Sequence, residues 1–130
     1  MSVLDIDNYP LQKEIDLIIK LALEVHKNRG AGFLEIVYKN AMSYEFDEHD
    51  FLCHREKEFD IKYKKVILNH KIYADFVLYE KVIVKIKAKQ GGIAEENLAQ
   101  TINYLKVSRC KVGLIFNFAA AKLQIKRVVF

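Results

Sequence analysis

One acid and two lysines in the middle of the chain have the residue types that phosphodiester chemistry uses. Asp75 lies in one apolar segment, and Lys85 and Lys87 follow it ten and twelve residues later in the next. Carboxylates bind Mg²⁺, and a nearby cation offsets the charge of a phosphate and helps to orient water. Lysines at this spacing are also common on solvated strands, so the spacing alone is a weak signal.

A hairpin between the two apolar segments decides whether Asp75 faces the lysines. Residues two apart on a strand share a face, so Lys85 and Lys87 point the same way. An odd number of loop residues near Glu80 would place Asp75 on that face as well. A two-residue loop would instead place Asp75 opposite Ile86, because a slip of one residue reverses every side chain.

Apolar periodicity predicts three helices that flank these segments. The first begins near Pro10, with Asp7 or Asn8 as its cap, and ends near Lys27. The other two are predicted for residues 33–48 and 94–107.

Alternating or dense apolar runs predict the strands, with a turn near Asn69 and His70. The strand segments are residues 59–63, 66–68, 72–79, 82–88, 112–118 and 125–130. The run at 112–118 is dense enough for a strand buried on both faces. The order of two helices, a β-meander, a helix and two strands predicts an α/β fold with a mixed sheet flanked by helices.

Composition predicts one cytoplasmic domain over residues 1–130. The chain is 52% apolar and 29% charged, with a formal net charge of +4, which is compatible with a polyanionic partner but does not require one. No signal pattern or bilayer-length apolar run occurs, so no membrane partner is expected. Cys53 and Cys110 lack Cys-x-x-Cys spacing and are expected to be reduced thiols. Seven tyrosines and eight phenylalanines permit a homodimer without arguing for one.

Lysines also cluster on the predicted β-meander, and this cluster has two interpretations. It is either a patch that faces phosphates or the solvated face of the meander, and the second is favoured. Its members are Lys57, Lys62, Lys64, Lys65 and Lys71.

Four segments together resemble a known family over residues 17–130. They are Gly32-Phe-Leu-Glu35-Ile-Val-Tyr38, Gln100-Thr-Ile-Asn-Tyr104, and the runs 111–118 and 125–130. Their order and spacing are similar to those of the GxxExxY family within the PD-(D/E)XK nuclease superfamily. The resemblance implies a restriction-endonuclease-like core, DNA as partner, and Mg²⁺ or Mn²⁺ as cofactor if the protein is active.

The resemblance also implies roles for the matching residues. Glu35 and Asp75 would be metal ligands, Lys87 the catalytic lysine, and Gln100 with Tyr104 a pair that positions substrate. Each has a simpler interpretation: Glu35 as a helix-surface acid, for example, or Gln100 and Tyr104 as an i,i+4 packing pair.

The chain departs from the family pattern at Lys85, where a second acidic ligand is expected. Exchanging −1 for +1 beside a divalent ion costs on the order of 10 kcal/mol before relaxation and screening, which would weaken metal binding severely. Three interpretations follow. Lys85 marks a relic that engages DNA with hydrolysis lost or reduced; a carboxylate from elsewhere completes an active Mg-dependent nuclease; or Lys85 is an engineered or sequencing change.

Glu96 is the favoured replacement carboxylate, because Glu96, Gln100 and Tyr104 fall at i, i+4 and i+8 on one helix face. Glu56 and Glu58 are further options. A non-catalytic binding or assembly protein that keeps only the fold is the competing functional class.

Overall fold

The computed structural model describes residues 11–130, so the interpretations of Asp7, Asn8 and Pro10 lie outside the described residues. The elements, in chain order, are α1 Gln12–Arg29, α2 Glu35–Glu48, β1 Cys53–Tyr63, β2 Val66–Leu78, β3 Val82–Lys87, α3 Glu95–Ser108, β4 Val112–Asn117 and β5 Gln124–Val129. The predicted order of elements is therefore confirmed.

The strands form one mixed sheet in the order β1-β2-β3-β4-β5. β3 and β4 pair in parallel, and the other neighbours pair antiparallel. Parallel neighbours need a crossover connection, and α3 provides it between β3 and β4. The predicted fold class, a restriction-endonuclease-like α/β core with helices flanking a mixed sheet, is confirmed.

The helices cover opposite faces of the sheet. Successive strand residues point to alternate faces, so each face contributes its own apolar residues to a core. Phe76, Val84 and Phe116 pack with α1 and α2 in the larger core. Val77 and Ile83 pack with α3 in the smaller one. All six residues of β4 are buried, as its dense apolar run predicts. None of the helices within residues 11–130 has the length and apolar character needed to cross a membrane.

The predicted turn near Asn69 and His70 is wrong, because β2 continues through both residues. The chain reverses earlier, where Lys62 pairs with Ile67 and Tyr63 with Val66. The backbone hydrogen bonds of this ladder outweigh the local turn preference of Asn69. Since β2 pairs with β3 only over residues 76–78, the outer part of the β1–β2 hairpin extends beyond the third strand.

Close packing of α3 on β4 depends on Gly113. A methyl group at this position would meet Cγ2 of Thr101 at 2.6 Å, well inside contact distance. We expect Gly113→Ala to lower the free energy of unfolding by about 1–3 kcal/mol, measured by urea denaturation, because the core cannot accommodate the added atom.

Thr101→Ser is the matched control, since it removes Cγ2 and keeps the hydroxyl that donates to the Asn97 carbonyl. Gly113→Ala should cost much less in the Thr101→Ser background. An equal cost in both backgrounds would show that this contact is not the cause.

Candidate functional site

The β2–β3 hairpin places Asp75 on the same face as the two lysines. Phe76 pairs with Val84 and Leu78 with Val82, which leaves a three-residue loop. The next step of the same register sets Asp75 opposite Lys85, and Lys87 follows on the same face. The sequence left open whether the loop has an odd number of residues. The observed three-residue loop brings Asp75 and Lys85 together on one face.

The Asp75 carboxylate takes the place of a backbone acceptor where β2 and β3 separate. Asp75 is only 5% exposed. Its Oδ2 accepts a hydrogen bond from the Ile86 backbone N–H at 2.7 Å, just beyond the last paired residues of the hairpin. The hydrogen bond fixes the carboxylate and satisfies a buried donor that would otherwise lack a partner.

Lys39 from α2 is a cation at the centre of three acids. Its Nζ lies 2.9 Å from Asp75 Oδ1, 3.3 Å from Glu56 and 3.5 Å from Glu35. Burial alone would lower the pKa of Lys39, but the hydrogen bond and charge of Asp75, and then those of Glu56, outweigh it and raise the pKa. Lys39 is therefore held in its charged form among the three acids.

Glu56 reaches this cluster from β1 through an irregularity in the strand. Arg55 pairs with Phe76 and Lys57 with Ala74, so Glu56 stands opposite Asp75 between them. Its φ angle is 53°, an uncommon conformation for a residue other than glycine. Glu56 thus shares the Lys39 ammonium with Asp75, although it was only a secondary candidate from the sequence.

Lys85 approaches Asp75 from the α3 side of the sheet. The residue is 8% exposed. Its Nζ lies 3.9 Å from Asp75 Oδ2 and 4.7 Å from the centre of the Tyr104 ring. An ion pair and a cation–π contact therefore keep the ammonium in the site, and it does not extend into solvent.

Tyr104 connects α3 with the charged residues of the sheet. Burial raises the pKa of Tyr104, the negative charge of Asp75 raises it further, and the positive charge of Lys87 lowers it. Asp75 and Lys87 therefore both act on the same phenol. Lys87 is partly buried and pairs with Asn117 at the end of β3.

Glu35 is the first residue of α2, and the preceding loop is fixed by Tyr38. The Tyr38 hydroxyl donates to the Gly30 carbonyl at 2.6 Å and accepts from the Phe33 N–H at 3.2 Å. The Tyr38 ring is stacked on Phe118 with centroids 4.5 Å apart. Tyr38 thus holds the loop that precedes Glu35, and Glu35 approaches Asp75 through Lys39.

The remaining candidates on α3 lie on its outer surface. Gln100 is exposed and lines a cleft of about 580 Å³ together with Tyr104 and the outer part of the β1–β2 hairpin. Glu96 is also exposed, and it makes no ion pair or hydrogen bond with any residue from 11 to 130. The structure therefore brings Gln100 beside Tyr104 but does not bring Glu96 to Asp75.

The fold and these contacts agree with comparisons to known proteins. A sequence model of the PD-(D/E)XK nuclease superfamily matches residues 12–128, and the chain therefore belongs to this superfamily. A comparison with curated proteins gives no match.

A solved structure described as "Crystal structure of SSO0001" is similar over 72% of this chain and 48% of its own, with a TM-score of 0.57 and 11% identity. This chain therefore spans about half the length of that protein, and the likeness supports the fold alone.

Nucleases of this superfamily generally use divalent metals, but the residues present here do not fit such an ion. Within the described part of the chain, no three His, Cys, Asp or Glu side chains are placed to hold a metal. The acids Glu35, Glu56 and Asp75 are matched in charge by Lys39, Lys85 and Lys87. A divalent cation added to this set would leave two uncompensated positive charges beside the buried Asp75 and Lys85.

Lys39 is the residue that sequence reasoning missed. It lies four residues after Glu35, on the same helix face, and this spacing was the available signal. An i,i+4 pair of this kind is common on exposed helices, so only the approach of Asp75 and Glu56 gives Lys39 its place in the site.

We expect Asp75→Asn to destabilise the protein by on the order of 3 kcal/mol, because it leaves the ammonium groups of Lys39 and Lys85 beside a neutral side chain in a buried site. Urea denaturation followed by circular dichroism measures this change.

Asp60→Asn is the matched control, since Asp60 pairs with Lys71 on the surface, where both side chains are 43% exposed. It should cost less than about 1 kcal/mol. Equal losses in the two variants would contradict a special role for the buried carboxylate.

Proposed function

We propose that this protein binds nucleic acid, with DNA as the leading candidate, and that its metal-dependent phosphodiester hydrolysis is lost or much reduced. The observation that carries the proposal is the Asp75 carboxylate, which two ammonium groups and a backbone N–H already surround. The proposal treats residues 1–130 as one nuclease-like domain of a cytoplasmic protein. Membership of the GxxExxY family and a homodimeric state remain predictions within it.

Charge supports the loss of hydrolysis more strongly than the absence of one ligand does. A glutamate at position 85 would give Asp75, Glu35 and Glu56 a fourth acid and a net charge of −2 with Lys39 and Lys87, which Mg²⁺ would neutralise. With Lys85 the same set is neutral before any ion arrives. Lys85 therefore replaces the charge of the metal as well as removing one of its ligands.

Nucleic-acid binding without hydrolysis is compatible with the same residues. Lys87 is a partly buried cation with no ion pair among the described residues, and Lys85 lies beside it on the same face. Ammonium groups attract phosphate without any divalent ion. Association should therefore persist when metals are chelated.

The competing function, an active nuclease with a relocated carboxylate, is better supported for Glu56 than for Glu96. Glu56 contacts the same ammonium that contacts Asp75. Movement of Lys39 away from the acids would leave Asp75, Glu56 and Glu35 facing one another. This version of the site predicts cleavage by the unaltered chain and its loss on Glu56→Gln.

Thermal stability and DNA cleavage in the presence of Mg²⁺ or Mn²⁺ test the proposal. The unaltered chain should show neither a metal-dependent rise in Tm nor cleavage of single- or double-stranded DNA. Lys39→Met/Lys85→Glu should gain about 2.7 kcal/mol of stability when the metal reaches a hundred times its Kd. Lys85→Glu alone should gain less, because Lys39 still contacts Asp75.

Lys81→Glu is the control for charge reversal, since Lys81 is exposed in the β2–β3 loop. It should leave metal dependence unchanged. Metal-dependent cleavage by the unaltered chain would overturn the loss of hydrolysis. Failure of the unaltered chain to bind DNA or RNA in EDTA would overturn the binding function.

A further inference from the structure

The outer part of the β1–β2 hairpin is a two-stranded ribbon that projects from the sheet. Its end is defined by the pairs Lys62 with Ile67 and Tyr63 with Val66, and residues 62–71 are all exposed. Such a ribbon is marginally stable in water unless something packs against it. Here Phe59 and Ile72, at its base, pack against the core under α3.

The end of this ribbon carries positive charge without acids. Residues 61–71 include four lysines and no Asp or Glu. Lys71 is neutralised by Glu58 and Asp60. Lys62, Lys64 and Lys65 make no ion pair with any residue from 11 to 130, although Lys64 lies over the Tyr63 ring.

Two further cations approach the ribbon from the end of α3. Lys106 and Arg109 line a shallow cleft with Lys62, and the acid in that cleft, Asp60, is already paired with Lys71. Both are exposed, and neither makes an ion pair within the described residues. We call this group the basic ridge: Lys62, Lys64, Lys65, Lys106 and Arg109. Five exposed cations that form no ion pair within the described residues repel one another and favour a polyanion.

We propose that the basic ridge binds the phosphate backbone of double-stranded nucleic acid, with the ribbon lying in a groove of the duplex. The inference rests on the proposed function and assigns part of its binding to a surface separate from Asp75. A two-stranded β-ribbon matches the major groove of B-DNA, which is about 12 Å wide. The ridge cations then lie against the phosphates that border the groove.

Exposed apolar side chains on the ribbon are consistent with entry into a groove. Val66 and Ile67 lie at the end of the ribbon and are 56% and 58% exposed. Within a groove such side chains contact base edges, including the methyl group of thymine. A second copy of the chain fits this surface less well, because a symmetric contact through the ribbon would set lysines against lysines.

Fluorescence anisotropy with a labelled duplex, in EDTA and over a series of salt concentrations, tests the proposal. Lys62→Gln/Lys64→Gln/Lys65→Gln should weaken binding at low salt by at least about tenfold and reduce the salt slope by about three. The matched control is Lys13→Gln/Lys20→Gln/Lys27→Gln, which removes the same charge from exposed positions of α1 on the opposite face of the sheet. It should change binding much less.

The outcomes separate this inference from the proposed function. If the unaltered chain binds neither duplexes nor single strands, the proposed function fails. If the unaltered chain binds duplex and the ribbon variant, Lys62→Gln/Lys64→Gln/Lys65→Gln, binds equally well, only the ridge inference fails. Equal losses in the ribbon and α1 variants would also overturn it, because net charge would then explain both.

Two competitors check the class of ligand. Polyglutamate and unlabelled DNA are compared at equal total charge for their ability to displace the labelled duplex. Equal displacement by the two would overturn recognition of nucleic acid by the ridge. A ribbon variant that loses affinity for single strands but not for duplexes would overturn the groove geometry. An unchanged urea midpoint establishes that the variant is folded.

Discussion

The buried carboxylate of Asp75 is the point at which strand pairing, helix packing and site charge meet. It completes the hydrogen bonding of β3 by accepting from Ile86, and it attracts Lys39 from α2 and Lys85 from β3. A buried anion is tolerated only when its charge and hydrogen-bonding capacity are satisfied. The sheet around Asp75 therefore needs both ammonium groups to stay folded.

This requirement links the chemistry of the superfamily to the stability of this chain. In a metal-dependent site, the ion neutralises acids that the fold holds close together. Here Lys39 and Lys85 supply that neutralisation from within the chain, and Tyr104 covers Lys85 from α3. The charges of the site are balanced without an ion, and this balance is the electrostatic basis of the proposed loss of metal-dependent hydrolysis.

The charges outside the site follow a different rule. Within the site every acid contacts a cation, whereas the basic ridge gathers cations that have no acid partner among the described residues. Buried charges that are paired stabilise the fold, and exposed charges without an acid partner can bind a polyanion. In the proposed function, this division assigns association with nucleic acid and the loss of hydrolysis to separate groups of charges.

Local periodicity and residue type were enough to determine the element order, the α/β fold class and the double burial of β4, whereas the anomaly at Lys85 emerged only from the family resemblance. These features depend on neighbours within a few residues, which a sequence displays directly. The resemblance over most of the chain added the superfamily, because spacing between motifs reflects a shared core.

Tertiary structure decided the rest: the parity of the hairpin, the continuous path of β2 past Asn69, the central place of Lys39 and the distance of Glu96 from Asp75. Each depends on strand register or on helix-to-sheet packing. A shift of one residue or one helical turn changes these relations while leaving the local pattern unaltered.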